Sequence, residues 1–342
     1  MEDAGLPDAY SRGSQYRARK EVCAEENIYG RLVVPHEIVL SKGDPVAIGV
    51  QNPAAVLYKC ASEIGPFADV LRSANAARKS SHFRLVLYVD GISPADALTK
   101  HDVRKLYAIY WSFADFGVEL LSTEVVWFEL AVVRTTILDD LDGGLSNLLS
   151  QLFDAYFSNN AANNFETSGV HCVLCGGDET LTVLARFSVL VADEPALKDV
   201  WLCKGHAGFK LCVCCMNVTL RKYFTPGGYE VCSSCFDTSL FRLHTDQTVR
   251  VCLQRLADKF AQRSARAITQ EAYDEYSKHY GFNHSPNNFA MKPYVNVISS
   301  TMFDIQHTFF ENGLLDVEFG EVMGELHCLL YTSPSPRDLS TS

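Results

Sequence analysis

Apolar residues along this chain recur at two spacings, and the places where one gives way to the other outline the fold. From 52 to 79, "NPAAVLYKCASEIGPFADVLRSANAARK" carries apolar positions at helical spacing. It opens on Asn52-Pro53 and breaks at Ile64-Gly65-Pro66, so a helix with an interruption is expected. "FRLVLYVDG" follows, a short, almost continuous apolar run of strand formers ending at Asp90-Gly91, which reads as a strand buried on both faces. "KLYAIYWSFADFG" and "EVVWFELAVVRTTIL" are two more strands by their aromatic and branched residues. "GGLSNLLSQLFDAYFS" returns to helical spacing through Leu145, Leu148, Leu149, Leu152, Phe153 and Tyr156. "TLTVLARFSVLVADE" is again strand-like and stops at Asp193. The order is therefore strand, strand, strand, helix, strand. A cysteine- and glycine-rich stretch comes next, and from Thr245 the chain turns helical. Thr245 serves as the cap there, with Val249, Cys252, Leu253, Leu256 and Phe260 on one face. Residues 1 to about 45 are polar and mixed and are expected to form an irregular lead-in. No internal repeat is present.

Composition narrows the functional classes. With 342 residues, 47% hydrophobic and 21% charged, the chain can bury a sizeable core as one large domain or two ordinary ones. A formal net charge of −11 excludes a generally basic, DNA-coating protein. Any nucleic-acid contact then needs a local basic patch, or metal ions between carboxylates and phosphates. No apolar run is long enough to span a bilayer, and the first residues lack the layout of a secretory signal. A nuclear location is expected, with a cytoplasmic one as the alternative, and in either the 12 cysteines stay reduced. That favours metal ligation over disulfides. From Cys328, "CLLYTSPSPRDLSTS" resembles a translated sequencing adapter, the alternative being a natural disordered tail. The natural protein is expected to continue differently past His327.

The element order gives two carboxylates a meaning. Three strands, a helix and a fourth strand open the ribonuclease H-like fold, in which the first and fourth strands lie side by side and parallel. Asp90 ends the first strand and Asp193 the fourth, so the two should meet. Facing carboxylates can hold Mg²⁺ or Mn²⁺, which activate a water or 3′-hydroxyl and stabilise the leaving oxygen in phosphodiester chemistry. Either residue alone would be read as a turn starter, as Asp commonly is at a strand end. Asp139, Asp140 and Asp142 form a competing cluster, but "LDDLDGG" reads as a solvated turn.

The cysteines point to zinc. Cys212-x₂-Cys215 is followed by Cys232-x₂-Cys235, a spacing suited to a four-ligand structural site. His244 could replace one of the second pair, and Cys203 and His206 could join. Cys172-x₂-Cys175 could serve a second site or sit unmetallated in a hairpin turn. Cys214, between two ligands, should point away. Isolated thiols such as Cys23, Cys60 and Cys252 read as small buried core residues.

From 83 to 326 the chain resembles transposase-derived DDE proteins of eukaryotic cut-and-paste elements, nearest to the CACTA and Kyakuja–Dileera–Zisupton groups. The resemblance rests on "RLVLYVDGISP", "AIYWSFADFG", "VLVADEPALKDVWLCKGHAGFKLCVCC", "FRLHTD" and "FDIQHTFFENGLLDVEFGEVM", in that order. It implies that Asp90 and Asp193 match the first two acidic positions of a catalytic triad. It implies that Cys212 and Cys215 belong to an inserted zinc-binding segment. Asp304 and His307 look like a D-x-x-H element that would share a helix face and support the metal site, an N-cap and a surface histidine being the alternative. The third carboxylate of such proteins follows a longer helical insertion. Glu318 and Glu321 lie in a helical stretch, but neither is assigned to it. No separate DNA-binding module is recognisable.

The expected architecture is thus α/β. It comprises a lead-in with a helical segment (1–80), a ribonuclease H-like mixed sheet (81–200), a zinc-binding insertion (201–245) and a helical region (246–327), then the tail. The function that follows is metal-dependent DNA cleavage and strand transfer in the intact protein, with DNA and a second copy of the chain as partners and no membrane. As given, the chain is expected not to cut. A catalytically inactive, zinc-binding interaction protein that keeps the fold is the alternative. A zinc-ribbon module on an unrelated α/β domain is a third reading, and it would leave Asp90 and Asp193 far apart.

Overall fold

The computed structural model describes residues 12–93, 105–225 and 228–304. Helix α1 (Arg12–Ala24) and the two-residue strands β1 (Glu26–Asn27) and β2 (Gly30–Arg31) lead into an antiparallel pair, β3 (Val33–Ile38) and β4 (Val46–Gln51). The stretch expected to be irregular therefore contributes to a sheet. Pro35 breaks the alternation that would have announced β3, and it is tolerated because β3 is the outer edge of the main sheet. Two helices follow, α2 (Pro53–Glu63) and α3 (Gly65–Ala77). The Asn52 side chain accepts from the Ala55 N–H with Pro53 in the first helical position, and extended Ile64 ends one helix and begins the next.

The centre of the molecule is built from β5 (Phe83–Ile92), β6 (Leu106–Phe113), the short α4 (Val118–Leu121), β7 (Phe128–Arg134), α5 (Thr135–Asp139) and α6 (Gly144–Phe157). A hairpin, β8 (Val170–Val173) and β9 (Thr180–Val183), precedes β10 (Ala185–Ala192) and α7 (Glu194–Trp201). The apolar run 180–192 is thus two strands, because it serves two sheets: β9 pairs with β8, and after Leu184 β10 joins the main sheet. Among the described residues of the cysteine-rich stretch, the strands are β11 (Val218–Thr219) and β12 (Val231–Cys232), with short 3-10 turns around them. Then come α8 (Asp246–Ser264), α9 (Gln270–Tyr280), α10 (Val297–Ser300) and β13 (Thr301–Phe303). Thr245 and Thr248 form a reciprocal cap on α8, which buries Val249, Leu253 and Leu256.

Seven strands form one mixed sheet in the order β13-β10-β5-β6-β7-β4-β3. β5, β6, β7, β4 and β3 alternate in direction, whereas β10 runs parallel to both β5 and β13. The first and fourth strands read from the sequence are therefore adjacent and parallel.

The two faces of this sheet differ. Leu85, Leu87 and Val89 of β5 pair with Phe113, Trp111 and Ile109 of β6, and all six are buried. α3 covers this face at one end, where Phe67 meets Phe128 edge-on at 5.6 Å. α6 covers it at the other, where Phe153 meets Phe187 at 5.5 Å and Phe289 at 5.1 Å. The opposite face carries Tyr88, Tyr110, Glu129 and Val191, none of them buried. All of the chemistry expected of the sheet lies on that second face.

Candidate functional site

Three carboxylates meet at one end of the sheet. Ala192 of β10 pairs with Val89 on one side and Phe303 on the other. One residue further on, Asp193 stands level with Asp90 in β5 and with Asp304 just after β13. Side chains at one level of a parallel sheet share a face, so the register puts all three on the Tyr88 face. The Asp304 N–H donates to the Ala192 carbonyl at 2.9 Å, which holds the last strand in line. Asp304 thus ends a strand, where a helix had been expected. A three-residue strand carries no periodic signal by which the sequence could announce it. His307, Glu318 and Glu321 lie outside the described residues.

Tyr88 joins this row together. Its hydroxyl donates to Asp304 Oδ2 at 3.1 Å. Burial raises the phenol pKa well above its ordinary value, and the negative charges of Asp90, Asp304 and Asp193 raise it further. Tyr110, opposite it on β6, is also raised by burial, then by Glu129 and Asp90. Asp193 has a second task, since its Oδ1 accepts from the Ala196 N–H at 2.7 Å and caps α7. Its Oδ2 has no hydrogen-bond partner among the described residues. A groove of about 1040 Å³ runs along this face, lined by Tyr88, Tyr110, Trp127, Glu124, Glu129 and Asp304 among others. The Trp127 indole N–H donates to Leu121 O at 2.9 Å, and its ring meets Tyr88 edge-on at 6.1 Å.

Sequence reasoning passed over Tyr88, Tyr110, Trp127 and Glu129. A signal was available: in "RLVLYVDG" the polar residues Arg84, Tyr88 and Asp90 are spaced by even numbers, so they share a face. The opposite face has its own cavity of about 360 Å³ near the same strand ends. There the Tyr107 hydroxyl donates to Asp199 Oδ2 at 2.6 Å, and burial raises the Asp199 carboxyl despite that bond. Asp139, Asp140 and Asp142 are exposed.

The cysteine-rich lobe brings some of its candidates together. Cys215 bridges to Leu243, the Met216 N–H donates to Arg242 O at 2.7 Å and the His244 N–H to Cys214 O at 2.8 Å. The segments 212–216 and 242–244 therefore run side by side. His244 is buried, with Nδ1 against Thr248 Oγ1 at 3.0 Å and Nε2 without a hydrogen bond among the described residues. Burial, with the Lys210 charge, lowers its pKa to about 4, so the ring is neutral. The Cys214 and Cys215 thiols both hydrogen-bond to Cys212 and hold it well below the ordinary thiol range, while their own pKa values are pushed up. Cys203 is raised by burial, and the Cys212 charge raises it further. Cys214 therefore turns toward Cys212 and not away from it.

Cys232 instead sits against Ser234 Oγ at 3.2 Å, and the Cys235 thiol reaches Asp237 O at 3.9 Å. His206 is exposed. Cys172 is buried in β8 opposite Leu181, with Cys175 in the turn beyond. Among the described residues, no group of three or more His, Cys, Asp or Glu side chains is assembled to hold a metal ion, at the sheet end or in this lobe. No described helix is long and apolar enough to cross a membrane. Comparison with family models gives no match, and comparison with curated proteins gives no significant one.

Proposed function

We propose that this chain is a DDE transposase-like protein with a ribonuclease H-like core, and that Asp90, Asp193 and Asp304 are its metal-binding carboxylates. The observation that carries the reading is the register, which puts three acidic residues at one level on one face of three adjacent parallel strands. The order and directions of β7, β6, β5, β10 and β13 support it, since they are those of the ribonuclease H-like sheet. Asp304 takes the third position, in place of Glu318 or Glu321.

The donor set fits a hard divalent cation, because all three residues offer carboxylate oxygens. Bound there, Mg²⁺ or Mn²⁺ would supply charge stabilisation and an activated water or 3′-hydroxyl for cutting and joining phosphodiesters. Asp193 can contribute Oδ2 while Oδ1 stays on the cap of α7. Tyr88 orients Asp304 and carries the proton that keeps this hydrogen bond in place. In the lobe, Cys212, Cys215 and His244 are the zinc ligands, with the fourth from Cys203, Cys232 or Cys235. Zinc there is structural, and the protein acts in the nucleus on DNA.

The test is a Mn²⁺-dependent nicking assay on plasmid DNA, comparing the protein with Asp90→Asn and Asp193→Asn. Asn keeps the cap on α7 and removes the charge. Activity should fall at least about a hundredfold in each variant, as loss of a transition-state clamp does. Equal nicking in all three would refute the assignment. A second reading is favoured by the hydrogen bond that already occupies Asp304 and by the missing three-member metal group. On it, the chain keeps the fold as a non-catalytic, zinc-stabilised interaction protein. No nicking by any form, with the fold intact, selects that reading.

A further inference from the structure

We propose that the face shared by the cysteine-rich lobe and the end of α9 binds the backbone of unpaired nucleic acid. Lys204, Lys222 and Lys278 meet the phosphates, and the Phe209–Tyr223 pair offers a ring face to a base. The proposal rests on the reading of DNA as substrate, but it concerns binding and uses none of the three carboxylates.

The chain carries a net charge of −11, so a cluster of lysines outside ion pairs needs a reason. The loop around residue 208 is laced to the end of α9. The Phe209 N–H donates to Lys278 O and the Lys204 N–H to Gly281 O, both at 2.9 Å. The approach is close enough that a Cβ on Gly208 would lie 3.4 Å from Lys278 O. Lys222 and Lys278 are exposed, and neither has an ion-pair partner among the described residues. By contrast Lys59, Lys198 and Lys292 are each paired with a carboxylate. Lys204 is depressed chiefly by burial. Asp274 partly offsets this and the Lys278 charge adds to it. Lys278 and His279 also complement the carbonyl end of α9, which accounts for their place but not for Lys222.

Aromatic rings are set among these cations. Phe209 and Tyr223 lie 4.6 Å apart, His279 meets Phe209 edge-on at 6.4 Å, and Lys222 Nζ stands 4.8 Å from the Tyr223 ring centre. Cations beside partly exposed rings are what a single strand requires, since phosphates bind the charges and a base can stack on a ring. A duplex has its base faces already occupied.

The experiment is fluorescence anisotropy with a labelled single-stranded oligonucleotide, without added divalent ion, across a range of salt. Lys222→Glu with Lys278→Glu should weaken binding by at least about tenfold, and lower the salt slope by about 1.4 for two lost phosphate contacts. Lys20→Glu with Lys42→Glu makes the same net-charge change on exposed lysines outside the face and should leave both values nearly unchanged. Binding is read without divalent ion and nicking only with Mn²⁺, so failed nicking and failed binding are told apart. Equal weakening by both double variants, equal affinity for polyglutamate, or unchanged binding in the Lys222/Lys278 variant would each overturn the proposal. The far-ultraviolet circular dichroism and melting temperature of each variant establish that it is folded.

Discussion

His284 shows how a single side chain can be held in an unfavourable state by its neighbours. Its ring stacks on Phe260 at 4.2 Å, while its Nδ1 is buried with no hydrogen-bond partner among the described residues. Burial lowers its pKa below the ordinary 6.5, Asp142 opposes that, and the Arg263 charge adds to it. The folded pKa lies below the unfolded one, so the unfolded chain takes up the proton first as the pH falls. Stability from the neutral ring is therefore full above about 6.5 and declines as pH drops toward the folded value. His284→Phe keeps the stack and removes the unpaired nitrogen. It should raise the melting temperature, with a gain on the order of 1 kcal/mol, and flatten the loss of stability between pH 7 and pH 5. A melting curve as pH-sensitive as the parent's would contradict this. Tyr88 is the other residue whose surroundings define it, since three carboxylates converge on one phenol.

At the scale of elements, the cysteine-rich lobe has too little regular structure to hold itself by strands. β11 and β12 are two residues each, and the lobe depends on backbone bonds between 212–216 and 242–244. Zinc bound by Cys212, Cys215 and His244 would supply the missing constraint. Native protein should therefore carry about one zinc per chain, measured by atomic emission. Cys212→Ser with Cys215→Ser should lose that zinc and become more open to proteolysis between 201 and 245. Equal zinc in both would remove the site. Much of this element pattern was legible in the sequence, and the failures have physical causes. The α2–α3 break could be read because Ile64-Gly65-Pro66 punctuates a strong period. β3 could not, because edge strands tolerate Pro35 and need no buried alternation. The division at Leu184 is invisible in an apolar run that suits either partner sheet. That Asp90 and Asp193 stand at the ends of neighbouring parallel strands could be read from strand order. The strand just before Asp304 could not be read, because only pairing with β10 defines β13.

The described residues are organised around a seven-stranded sheet with its two faces put to different uses. Phe and Leu side chains from α3 and α6 close one face, while tyrosines and carboxylates occupy the other. That division is what allows three acids, 103 and 111 residues apart in sequence, to stand at one level (90, 193 and 304). If they act as a unit, metal affinity should depend on each of them and on little else along the groove. The most direct measurement is Mn²⁺ binding followed by electron paramagnetic resonance of the free ion. Parent protein would be set beside Asp90→Asn, Asp193→Asn, Asp304→Asn and the groove control Glu129→Gln. Saturable binding that weakens at least about tenfold in each Asp variant, and is nearly unchanged in Glu129→Gln, is the predicted result. Affinity indifferent to Asp304, or lost equally in the Glu129 variant, would contradict the three-carboxylate site.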